Sequence, residues 1–139
     1  MKRILAAALA ATAILVVSCD QGSDGDGDAL SGTTWRLSSW SAGSPDPSEF
    51  TITAAFDGSR LSGTSAVNSY SGTCSTTAGG GSSVGELQST EMAGSVEAMR
   101  AERTYLDLLV QVRKYAVSGA TLTLLDGGGR ALLVFAASR

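Results

Sequence analysis

The sequence predicts an α+β domain: a strongly curved, barrel-like antiparallel β-sheet of about seven to eight short strands, with one main α-helix over about 96–112. Three observations lead there. Apolar residues recur with period two through most of residues 30–139, the pattern of half-buried strands. A single stretch switches to the helical period. Turn dipeptides and glycine runs punctuate the alternation, so connections are short and sequential strands pair antiparallel. A sheet of this many strands curls or closes to hide its edges.

The elements follow in order. Thr34 to Trp40 places Trp35 and Leu37 on one strand face, and Phe50, Ile52, Ala54 and Phe56 alternate with Thr51, Thr53 and Ala55. Asp57-Gly58 supplies a tight turn before Arg60-Leu61-Ser62. Asn68 to Ser75 sets Tyr70 and Cys74 on one side; Gly79 to Ser83 reads as a loop and Val84 to Leu87 as a short strand. Val96, Met99, Arg103, Leu106, Leu109, Val110 and Arg113 then trace the i, i+3, i+4, i+7 spacing of one helical face. Ser95 suits the N-cap, Glu97 the first turn, and Arg113 and Lys114 the last. Met99 and the leucines are expected to face the sheet, with a ligand groove as the alternative. Tyr115 to Val117, Ala120 to Leu125 and Ala131 to Ala136 complete the strands. The glycine triplet at 127–129 joins the last two; with no Gly-Lys-Ser/Thr after it, it is not a phosphate loop.

Ahead of this domain stand two segments of different character. Lys2 and Arg3 precede Ile4 to Val17, fourteen residues without charge. That run is too short to span a bilayer, which takes roughly 20 apolar residues; it has the form of a secretory leader. Val16-Val17-Ser18-Cys19 resembles the lipobox of bacterial lipoproteins, in which the cysteine becomes the acylated first residue. The domain division is therefore 1–18 signal peptide, 19–29 tether and 30–139 folded domain. Cys19 is the expected lipidation site, membrane lipid the expected partner, and the outer face of the bacterial cell membrane the expected location. An ordinary signal peptide cut near Ser18 is the alternative, and an unacylated Cys19 could then pair with Cys74. Residues 20–29 hold four Asp and three Gly and have no apolar side chain larger than Ala, so they read as a flexible acidic leash. Asp24, Asp26 and Asp28 alternate like an EF-hand loop, but Ala29 and Trp35 stand where that loop needs Gly and Glu.

Composition narrows the chemistry. The 139 residues contain no histidine, which removes Ser-His-Asp triads, Cys-His pairs and histidine zinc sites. A formal charge of −3 gives no basic excess for nucleic acid. Removing residues 1–18 leaves eight basic against thirteen acidic residues, a balance of −5. Asp46, Glu49, Asp57, Glu86, Glu91 and Asp126 are the acids outside the tether and helix, and no two share a strand face as a glycosidase pair would. Neither enzyme activity nor a cofactor or metal is expected. Arg100 and Arg103 with Glu97 and Glu102 read as a solvated helix face with weak ion pairs, an interaction surface being the alternative. Trp40, Tyr105 and Tyr115 read as core residues that would mark a partner site if exposed. Cys74, with no His to activate it, reads as a small buried residue.

The motif order resembles the META domain, also called the HslJ-like family. Gly32-Thr33-Thr34-Trp35-Arg36-Leu37 is similar to its opening G-T-x-W-x-L. Phe56, Leu61-Ser62-Gly63 and Asn68-Ser69-Tyr70-Ser71-Gly72 are similar to its F…v-s-G…C-N-x-Y-x-G core. Thr90-Glu91-Met92 matches its T-x-M, and Glu102, Tyr105-Leu106 and Leu109 its helix pattern; Leu122 to Leu124 and Leu132 to Phe135 match its closing hairpin. Trp35, Asn68, Tyr70 and Gly72 thus carry the family motif, in a structural role. Two cysteines common in the family are replaced by Val67 and Gly94, so the disulfide they would form is absent, and Val67 is expected to fill the core instead. The resemblance implies a barrel-like sheet with a helix, in a monomeric envelope protein tied to stress tolerance, of undefined activity. A carrier of lipid or hydrophobic peptide inside the barrel is the alternative.

Overall fold

In the computed structural model the described residues are 30–77 and 79–138. The leader, the tether, Cys19 and the Asp24–Asp26–Asp28 series lie outside them. The elements are β1 (Thr33–Trp40), a 3-10 turn (Pro47–Glu49), β2 (Thr53–Asp57), β3 (Arg60–Thr64), β4 (Ser69–Thr76) and β5 (Ser82–Ser89). After them come α1 (Val96–Leu109), β6 (Lys114–Ser118), β7 (Thr121–Leu125) and β8 (Ala131–Ala137).

The strands form one eight-stranded sheet in the order β5-β4-β3-β2-β1-β8-β7-β6, antiparallel throughout. Two meanders, β1 to β5 and β6 to β8, meet where β1 pairs with β8. The sheet curls far enough for its two edges to touch at one end. Ser82 N–H donates to Arg113 O at 2.8 Å and Tyr115 N–H to Gly80 O at 2.8 Å. The result is a curled half-barrel with one helix, the α+β architecture the alternation predicts.

The inward side chains are those the period-two pattern selects: Trp35 and Leu37, Ile52, Ala54 and Phe56, Leu61, Tyr70 and Cys74, Leu122 and Leu124, Leu133 and Phe135 are all buried. A bulge between Leu37 and Ser39 breaks the β1 register, and Ser38 Oγ uses it to donate to Val134 O at 2.9 Å. The concave side is filled by side chains, with Tyr105, Leu109 and Phe135 among the fully buried ones.

The helix departs from expectation in two ways. It ends at Leu109, not near 112, because Arg113 N–H pairs with Leu125 O at 2.8 Å and draws the chain into the sheet. Arg113 therefore lies beyond the last turn, yet its guanidinium still reaches Val110 O at 3.0 Å and Val112 O at 2.7 Å. The buried face is also rotated. Ala101, Glu102, Tyr105 and Leu109 face the sheet, whereas Val96 is 77% exposed and Met99 38%. Ser95 does cap the helix, accepting from Ala98 N–H at 3.1 Å.

Candidate functional site

The densest polar arrangement joins the β3–β4 turn, the segment after β5 and the middle of α1. The turn bends sharply: Ala66 has φ +84°, a conformation costly for a residue with a Cβ. Such a turn persists only when its surroundings hold it. Glu102 does the holding. Its Oε1 accepts from Asn68 N–H at 2.8 Å and from the Ser65 hydroxyl at 2.6 Å, and its Oε2 accepts from Asn68 Nδ2 at 2.9 Å. Glu102 is thus a buried group only 7% exposed, not the solvated one its sequence neighbours suggest. All three donors are neutral.

Asn68 is saturated in turn. Its Oδ1 accepts from Met92 N–H at 2.6 Å and from the Thr90 hydroxyl at 2.9 Å, while Nδ2 also reaches Met92 O at 3.2 Å. Its carbonyl accepts from Ser65 N–H at 2.8 Å. One side chain therefore stitches three segments far apart in sequence. No buried side-chain polar atom among the described residues lacks a partner.

The other motif residues sit around this clamp. Tyr70 donates to Thr53 O at 2.7 Å, and its hydroxyl lies 2.5 Å from that of Tyr105; the rings meet edge to face at 5.4 Å. Burial pushes both phenols well above their ordinary range. Gly63 is forced by contact: a Cβ there would stand 2.2 Å from the same Thr53 carbonyl. At Gly72 a Cβ would stand 2.8 Å from Glu86 O, so β4 and β5 approach closely only without one. Trp35 is buried and donates to the Thr33 hydroxyl at 2.7 Å.

The remaining expectations are placed as follows. Cys74 is buried and free, and burial pushes its thiol up, away from a reactive thiolate. Trp40 is half-buried and donates to Pro45 O at 3.0 Å; Tyr105 is fully buried and Tyr115 half-buried. Val67 is half-buried and does not enter the core; it lies beside Gly94, whose ideal Cβ position is 2.8 Å from Val67 Cγ2. Among the described residues no three His, Cys, Asp or Glu side chains gather as a metal set, and no helix is long and apolar enough to cross a membrane.

Chemically, the clamp fixes shape. Each carboxylate oxygen of Glu102 is engaged by donors that position the turn, which leaves no substrate-facing acid at this point. Asn68 and Glu102 were legible as motif residues, but their direct bond was not. The signal that exposes it is a second helical stripe through Ala101, Tyr105, Leu109 and Val112, with Glu102 inside it.

Fold and clamp together define a small α+β half-barrel in which Glu102, the one buried carboxylate among the described residues, holds the β3–β4 turn. The chain belongs to the META domain family: the family profile matches residues 28–139. It is similar to a protein from Burkholderia xenovorans solved by NMR, at 26% identity and TM-score 0.66, over 80% of this chain and 85% of that one. Two further solved structures share the fold. One is another NMR structure, at 17% identity and TM-score 0.59, over 78% of this chain and 92% of that chain. The other is a crystal structure of a DUF4847-family protein from Bacteroides vulgatus, at 13% identity and TM-score 0.58, over 78% and 94%. Comparison with curated proteins gives no match. No catalytic family is indicated by any of these likenesses.

Proposed function

We propose that this META-family protein is a non-enzymatic lipoprotein of the bacterial cell envelope, anchored to the outer face of the membrane through acylated Cys19. In this reading residues 1–18 are removed, residues 19–29 form the leash, and the folded domain acts as a monomeric binding or stress-tolerance module. The observation that carries it is Val16-Val17-Ser18-Cys19 at the end of an uncharged run that follows Lys2 and Arg3. Acyl chains contribute about 0.8 kcal/mol per buried CH₂, and two or three on one cysteine give stable anchoring.

The fold supports the reading in two respects. Among the described residues the core runs from Leu30 to Phe135, inside the folded domain. The concave side holds Tyr105, Leu109 and Phe135 where a lipid or hydrophobic-peptide carrier would need space.

Fractionation of cells making the full chain tests it. The native chain is expected in the membrane pellet with a diacylglyceryl mass increment at Cys19, and Cys19→Ala in the soluble fraction. Retention of Cys19→Ala on the membrane after a wash in about 0.5 M salt, or an unmodified thiol in the native protein, would overturn it.

A further inference from the structure

α1 carries two stripes, and only one meets the sheet. The other runs Val96, Met99, Arg100, Arg103, spaced i, i+3, i+4, i+7, and faces solvent. Met92, 58% exposed, extends it, so three of the five large exposed apolar side chains lie in this one region. Val96, Met99 and both arginines, with Gly94, line an open cleft of about 350 Å³. Among the described residues neither guanidinium has a hydrogen-bond or ion-pair partner. Apolar side chains left in water beside unpaired cations mark an interaction site.

We propose that this stripe is a membrane-docking face, which lays Met92, Val96 and Met99 into the headgroup boundary of an anionic bilayer while Arg100 and Arg103 bind lipid phosphates. The inference deepens the lipoprotein reading and rests on it for location. Three facts select a lipid surface as the occupant. The charges match locally, two unpaired guanidinium groups against lipid phosphate, and they must outweigh the exposed Glu91 and Glu97 beside the stripe and the negative sign of the whole chain. The cleft is open to solvent, as contact with a fluid surface requires. Residues 19–29, which separate Cys19 from Leu30, extend to at most about 40 Å, so an anchored domain stays within reach of the bilayer. A face held so close needs little affinity of its own, since the second contact is intramolecular.

The test uses residues 20–139, which retain the core residues from Leu30 to Phe135 and carry neither the apolar leader nor Cys19, so its outcome is independent of acylation. Vesicles of phosphatidylcholine with about 30% phosphatidylglycerol should bind this chain at low salt. Binding should fail on phosphatidylcholine alone and in about 0.5 M salt. Arg100→Gln with Arg103→Gln should weaken partitioning by roughly 30-fold, about 5-fold per arginine, with an unchanged melting temperature. Val96→Trp emission should shift to the blue on the same vesicles. Absence of binding to anionic vesicles, equal binding to neutral ones, binding insensitive to the arginine changes, or capture of a protein in place of lipid would each overturn the proposal.

Discussion

On one side of β1, strands β7 and β8 bury Leu122, Leu124, Leu133 and Phe135; on the other, β2 to β5 bury Phe56 and Leu61 and add Gly63, Ser65, Asn68, Tyr70 and Gly72. The first wing is held by apolar area removed from water. The second has such area too, and adds backbone closeness and hydrogen bonds that converge on Asn68 and Glu102. The contrast teaches why the second wing contains the strained Ala66 and the first has no such outlier: directed bonds can hold a turn that area alone would let relax.

The sharpest way to break this comparison is to damage each wing once. Asn68→Ala strips Glu102 of a side-chain donor and orphans both polar groups of Met92, and should cost about 3–5 kcal/mol. Leu133→Ala, a pure cavity, should cost about 2–5 kcal/mol. Urea unfolding reads both; a loss under about 1 kcal/mol for Asn68→Ala would mean the clamp is ornamental.

A staple should sharpen the contrast from the opposite direction. The ideal Cβ of Gly94 lies 3.6 Å from Val67 Cβ, inside the range of about 3.5–4.5 Å that disulfides use. Val67→Cys with Gly94→Cys should oxidise readily and add about 3–4 kcal/mol, pinning the polar wing to the start of the helix. Failure to oxidise would show the two segments are not neighbours.

Alkaline pH discriminates next. Tyr70 and Tyr105 ionise later in the folded chain than in the unfolded one. Their contribution is therefore intact below about pH 10 and is lost as pH rises, by about 1.4 kcal/mol per pH unit for each tyrosine. Tyr105→Phe should halve that slope while costing about 1 kcal/mol at neutral pH. An unchanged slope would place the alkaline transition elsewhere. The smallest effect belongs to Ala66→Gly: relief of the positive φ outweighs the added freedom of the unfolded chain, for a net gain of about 0.5 kcal/mol.

The two wings also differed in how far they could be read from sequence. Tyr115 to Val117, Ala120 to Leu125 and Ala131 to Ala136 fall within a residue of β6, β7 and β8, because Ser118-Gly119 and the glycine run after Asp126 bound them and Thr121 to Leu124 alternates cleanly. Val84 to Leu87 is only the middle of β5, whose serines and glycine give no period. The helix was legible as a helix and misread in orientation, since both of its stripes satisfy the same spacing. Glu102 was misplaced for a related reason: periodicity counts a carboxylate as solvent-facing unless its donors are known, and those donors sit 34 and 37 residues away in sequence. The clamp itself was visible only as motif residues in order.

β1, the first strand made, takes one of its two neighbours from β2 and the other from β8, the last. The whole span from Leu37 to Phe135 must therefore be synthesised before the two lie side by side. Until then Trp35 and Leu37 have one open flank, and the nascent domain is a row of strands with no closure. Contacts spanning that much sequence slow folding and delay closure of the sheet. Loss of β8 would accordingly split the two meanders apart and leave neither with a complete core.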